Sequence, residues 1–97
     1  MFDPDLCPEH IRESIDAYTQ QGRPTGSFLH AVLSNDLAAA VARADEANIV
    51  LLPHIVAYVN ARVPFAVWGD VAKVEAHLAK GRRLADAVTS MFLPENK

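Results

Sequence analysis

Cys7 and His10 stand three residues apart at the start of a helical segment. A helix N-terminus lowers a thiol pKa, and an imidazole one turn on could take the proton. The plainer reading is a spectator cysteine, because so short a leading segment offers little wall to exclude water. His10, His30, His54 and His77 are scattered, with no pair at i, i+4 and no second cysteine. A zinc site needs three or four convergent ligands, so isolated histidines are the expectation and no metal is assigned. Gly22-Arg23-Pro24-Thr25-Gly26-Ser27 leads into a helix start, where free N–H groups can hold an anion. Arg23, Thr25 and Ser27 would add donors. The pattern has no P-loop lysine and no preceding strand, so capping plus a tight turn is the plainer reading of it. Asp3 and Asp5, or Asp45 and Glu46, are sequence neighbours that a helix or loop splays apart. General acid–base work needs two carboxylates converging in one cleft. The chain therefore reads as a non-enzyme, with no catalytic residue and no cofactor.

The elements that would carry these residues are helical. Pro8 suits a first helical position, and Ile11, Ile15 and Tyr18 fall at i, i+4, i+7. Gly22 and Pro24 stop that helix, which is expected over 8–21. Thr25 or Ser27 is the expected cap of a second helix carrying Phe28, Leu29, Val32 and Leu33. Ser34-Asn35-Asp36 breaks it, and Asp36 or Asn35 opens a third helix over the alanine-rich run 37–47. Asn48 is expected to end or re-cap the chain there. Pro53 fits a first turn, which places a fourth helix at 52–62, apolar on much of its circumference and so central. Phe65-Ala66-Val67-Trp68-Gly69 is an apolar connection, and Asp70 caps the last segment. There Val71, Val74, Leu78, Gly81, Ala85, Val88 and Phe92 step 3-4-3-4-3-4, a heptad seam running through Gly81. One long helix over 70–92 follows, although Gly81 costs about 1 kcal/mol relative to alanine. The expected fold is all-α: a compact bundle of about five helices with a long C-terminal helix. It forms a single domain over 1–97, with 1–7 and 94–97 frayed.

Composition agrees with this. The chain has 97 residues, 51% apolar and 22% charged, the balance of an ordinary globular domain. No apolar run approaches the ~18 residues of a membrane span. The start, Met-Phe-Asp-Pro-Asp, has no basic region of a secretory leader, and one cysteine suits a reducing cytoplasm. The net charge of −3 argues against general nucleic-acid binding. It is uneven. Asp3, Asp5, Glu9, Glu13 and Asp16 crowd the first segment, and Lys73, Lys80, Arg82 and Arg83 the last. These are either two solvated faces or complementary docking surfaces, within the fold or between subunits. A helix-turn-helix by the second and third helices is disfavoured. Their turn is short, and the third helix has only Arg43 as a base.

Several phrases occur together: Arg23-Pro24-Thr25-Gly26-Ser27-Phe28-Leu29, Ala31-Val32-Leu33-Ser34-Asn35-Asp36-Leu37, and Ala44-Asp45-Glu46-Ala47-Asn48. Ile55-Val56-Ala57-Tyr58 and Pro64-Phe65-Ala66-Val67-Trp68-Gly69-Asp70 follow. Over about residues 11–78 the chain resembles a group of small proteins encoded by phages and prophages. The resemblance implies a mobile-element context and residence in the cytoplasm of a bacterial host, and it carries over no catalytic residues. Small phage proteins of this size often act by stoichiometric binding to a host factor.

The expected function is a non-enzymatic protein–protein interaction module that binds a host or phage protein, modulating or inhibiting it, with anti-defence as one such role. Interface anchors are enriched in Trp, Tyr and Arg, so Arg23, Arg62, Phe65 and Trp68 are the candidate contacts. The rival reading of the two rings is that they fold back to plug the bundle. The 71–92 seam must be buried by the fold or by a second copy. Each large side chain left wet forgoes roughly 1.5–3 kcal/mol. The alternative function is nucleic-acid or nucleotide-phosphate binding, through Lys80, Arg82 and Arg83 or through Thr25 and Ser27 beside Arg23.

Overall fold

Gly22 ends the first helix in the left-handed conformation, with φ of 67°, which glycine adopts without a Cβ penalty. That helix, α1, is Glu9–Gln21, followed by α2 (Ser27–Leu33), α3 (Leu37–Arg43), α4 (Glu46–Arg62) and α5 (Val71–Phe92). Two single 3-10 turns, Pro4–Leu6 and Phe65–Val67, complete the elements. The computed structural model describes residues 2–92. Among them there is no strand, and the protein is an all-α bundle of five helices with a long C-terminal helix.

Local chemistry sets most boundaries. The Asp36 carboxylate accepts from the Ala39 N–H at 3.1 Å and opens α3. Asn35 takes the left-handed conformation (φ 61°) that turns the chain between α2 and α3. The Asp70 carboxylate accepts from the Lys73 N–H at 2.9 Å and opens α5. That helix continues through Gly81, as the unbroken seam predicts.

Two boundaries differ from expectation. The third helix stops at Arg43 rather than near 47, and the fourth begins at Glu46 rather than 52. Asp45 is the reason: its side chain accepts from the Asn48 N–H at 2.8 Å, so the cap lies three residues upstream of the residue expected to supply it. Pro53 is consequently inside α4. A mid-helix proline costs about 3 kcal/mol, yet α4 continues through it and buries Ile55, Tyr58 and Val59 beyond it. Neither Thr25 nor Ser27 caps α2. Gly26 holds the cap position, with no side-chain hydrogen bond.

The core draws on every helix. Ile11, Ile15 and Tyr18 supply the predicted stripe of α1; Leu29, Val32 and Leu33 come from α2, Ala40 from α3, and Val74 and Leu78 from α5. Cys7 is buried with them. The first residues, expected as a frayed end, lie against α4. The Asp3 N–H donates to His54 Nδ1 at 3.0 Å, and Phe2 meets the His54 ring edge-on. The fray expected at 94–97 falls outside the described residues.

Helix α4 is less enclosed than its apolar circumference suggests, since Ile49, Val50 and Val56 are exposed. In α5 every residue from Arg82 to Met91 is exposed. The radius of gyration is 15.1 Å, against about 13 Å for a spherical domain of this length. The molecule measures 56 × 25 × 23 Å. A 22-residue helix is about 33 Å long, so the second half of α5 stands clear of the bundle.

Candidate interaction surfaces

Tyr18 organises the side of the bundle that carries the aromatic connection. Its hydroxyl donates to the Val67 carbonyl, and its own carbonyl accepts from His77 Nε2 at 2.7 Å. Burial, with a smaller push from Glu75, raises its pKa to about 12. These bonds tie the Phe65–Val67 turn to α1 and α5, and so fix the two rings that follow from it. Gly69 reinforces the placement: its N–H donates to the Leu33 carbonyl at 2.8 Å.

The two aromatic candidates then separate. Trp68 is half-buried and packs against the core, whereas Phe65 is 66% exposed. Their rings meet edge-on with centroids 5.6 Å apart. Lys73 clamps Phe65, its ammonium 3.7 Å from the ring centroid while also donating to the Phe65 carbonyl. The plug reading fits Trp68, and the contact reading fits Phe65. Trp68 also lines a cleft of about 70 Å³ with Leu37, Leu52 and Val56. That is roughly five waters' worth of space, enough to seat one apolar side chain. Leu37 on its rim is 70% exposed. The indole of Trp68 thus joins the exposed Phe65 ring on one side to an apolar cleft on the other.

The arginines lie elsewhere. Arg62 stacks over Tyr58, 5.4 Å from the ring centroid, in a charged depression shared with Glu9, Arg12, Glu13 and Asp16. Tyr58 donates to Asp16 at 2.7 Å, and burial together with that bond raises its pKa. Arg23 lines a groove of about 500 Å³ with Gln21, Pro24, Gly81, Arg82, Leu84, Ala85, Val88 and Thr89. The four residues chosen as contacts therefore occupy three places, and only Phe65 and Trp68 touch.

The anion candidates are likewise divided. Thr25 and Ser27 line a depression with His10 and Asn48, and Lys80 one with Lys73 and His77. Only Arg23 and Arg82 converge. The docking of acidic on basic segments within the fold is not seen. Among the described residues the one contact between a basic and an acidic side chain within 4 Å is His30 Nε2 to Glu75 Oε2, at 2.8 Å.

Cys7 and His10 do not form a reactive pair. The thiol is 2% exposed. Burial pushes its pKa up; the Arg12 charge pulls the other way and Asp16 adds to the rise. His10 is exposed and lines the depression beside Thr25. Among the described residues no three His, Cys, Asp or Glu side chains gather as metal ligands. No described helix is long and apolar enough to cross a membrane.

Sequence reasoning missed Leu37 and Val56 because each belongs to an apolar stripe that reads as core. The available signal was α4 itself, whose apolar residues occupy too many faces for one bundle to cover. No protein family, curated protein or solved structure matches the chain.

Proposed function

We propose that this chain is a non-enzymatic interaction module of phage or mobile-element origin, acting in the bacterial cytoplasm by binding a host or phage protein and modulating it. The carrying observation is the corner built by Leu37, Val56, Trp68 and Phe65, where an exposed phenyl and an open apolar cleft share one indole. A small domain gains stability by covering such groups, so leaving them exposed side by side favours a role in contact. The occupant that fits is a partner helix presenting one aliphatic side chain to the cleft, with its flank against Phe65.

The test is affinity capture from bacterial lysate with wild-type protein, Leu37→Asp and Phe65→Ala. Both substitutions fall on exposed side chains and should leave the fold intact by circular dichroism. The expected result is a protein retained by wild type at moderate salt and lost with either variant. Equal retention by all three chains would overturn the reading.

The second reading, binding of nucleic acid or nucleotide phosphate, draws on the convergence of Arg23 and Arg82 at one groove. It predicts retained nucleic acid that is released steeply between about 50 and 200 mM salt.

A further inference from the structure

Three histidines have hydrogen-bond partners, and the partners make different demands. His30 faces the Glu75 carboxylate and His77 the Tyr18 carbonyl, both acceptors that a protonated ring also satisfies. His54 faces a donor. The Asp3 N–H points at its Nδ1 from 3.0 Å, and a backbone N–H can only donate. Nδ1 therefore carries a lone pair, and the proton of the neutral ring is on Nε2. Protonation puts an N–H on both nitrogens and sets two donors head to head across that distance. A proton and the Asp3 N–H thus compete for one lone pair. We propose that His54 is an acid-operated latch, whose protonation releases residues 2–7 from α4 and uncovers the Cys7 thiol.

The leading segment is built to move as one piece. The Leu6 N–H donates to the Asp3 carbonyl at 3.0 Å and the Cys7 N–H to the Pro4 carbonyl at 3.1 Å. The Asp3 carboxylate caps the same turn, accepting from the Asp5 N–H at 2.9 Å. Asp3 is in this way coupled to Cys7 by the turn's own bonds. Phe2 packs edge-on against the same imidazole, with centroids 5.7 Å apart. Among the described residues no other hydrogen bond joins residues 2–7 to the rest of the bundle. Without the latch, only apolar contact and the burial of Cys7 hold the segment in place.

The ionisable groups on the elements packed against this stretch of α4 are few. Asp3, Asp5 and Cys7 lie on the leading segment, and Arg12 and Asp16 of α1 act on Cys7. Tyr58, one turn along α4, is held by Asp16 at 2.7 Å. Asp3 and Asp5 attract a charged ring, but such pairs at an exposed site are weak, and the Asp3 carboxylate is already engaged. The lost acceptor therefore decides the direction, with docking favoured at neutral pH and release at acid pH.

The chain has a single cysteine, so its labelling by a pyridyl disulfide reagent reads the latch. The rate is followed from about pH 7.5 to 5.5, where imidazole changes charge, and divided by that of the urea-unfolded chain at each pH. Burial raises the Cys7 pKa, so the thiol stays protonated throughout and the ratio reports access. The wild-type ratio should rise about two- to tenfold on acidification, the net worth of one hydrogen bond, with circular dichroism unchanged. His54→Asn places an acceptor oxygen where Nδ1 stood, and its ratio should stay low at every pH. His54→Leu has no acceptor, and its ratio should be high at every pH. His10, His30 and His77 remain in both variants and would carry any general effect of acid. A flat wild-type ratio, a rise shared by His54→Asn, or a rise that accompanies loss of helical signal would overturn the proposal.

Discussion

Gly81 is where two backbones meet. A Cβ built on it would lie 2.6 Å from the carbonyl oxygens of Gln21 and Gly22. In an isolated helix Gly→Ala gains about 1 kcal/mol. Here the clash is with backbone, which cannot rotate away, and overpacking costs about 1–3 kcal/mol. Gly81→Ala is therefore expected to destabilise, as a fall in the denaturant midpoint. Tyr18 makes a second test. Its phenol is held protonated, with a pKa pushed up to about 12 from 10.0. A raised folded-state pKa gives stability that is complete below the unfolded value of about 10 and lost as pH climbs toward 12. Unfolding curves across that window should show the loss, and Tyr18→Phe should flatten it while costing roughly 1–3 kcal/mol at neutral pH for the orphaned Val67 carbonyl. The sequence identifies Gly22 and Gly81 as special separately, one as a stop and one as a tolerated defect. That they face each other needs the crossing of α1 and α5, which no local pattern encodes.

At the scale of the element, capping decides where helices begin. Asp45→Ala should destabilise by about 0.5–2 kcal/mol, because the Asn48 N–H loses its partner. Asn48→Ala should cost little, since Asn48 enters that bond through its backbone. Comparing the two by chemical denaturation separates the observed start of α4 from one near Pro53. The stripes of α1 and α5 were legible because each holds a single phase from cap to stop. The junction of α3 and α4 was not. Asn48 and Pro53 are strong local signals, and they lost to another local one, the Asp45 carboxylate that caps the helix three residues upstream of Asn48. Of the contact candidates, the pairing of Phe65 with Trp68 was legible as an apolar turn. The cleft beside them was not, because Leu37 and Val56 differ from core residues only in what fails to cover them.

For the whole molecule, the division between bundle and projecting helix sets what each part can lose. Residues 82–91 are exposed throughout, so truncation after Arg83 should leave the thermal midpoint of the bundle nearly unchanged. A large drop in that midpoint would show that the tail supports the bundle directly. The heptad phase of α5 could be read from sequence, but the point where coverage stops could not. It depends on the length of α1, whose end at Gln21 leaves nothing beyond Gly81 to pack on the seam.

A partner that docks on the corner of Leu37, Val56, Trp68 and Phe65 covers apolar surface there and should bind with the signature of apolar burial. The most direct measurement is calorimetric titration of the captured partner at two salt concentrations and several temperatures. Binding is expected with a negative heat-capacity change, an affinity that moves less than about threefold between 50 and 200 mM salt, and none by Leu37→Asp. Binding that weakens by about a thousandfold over that salt range, and that Leu37→Asp leaves intact, would contradict it.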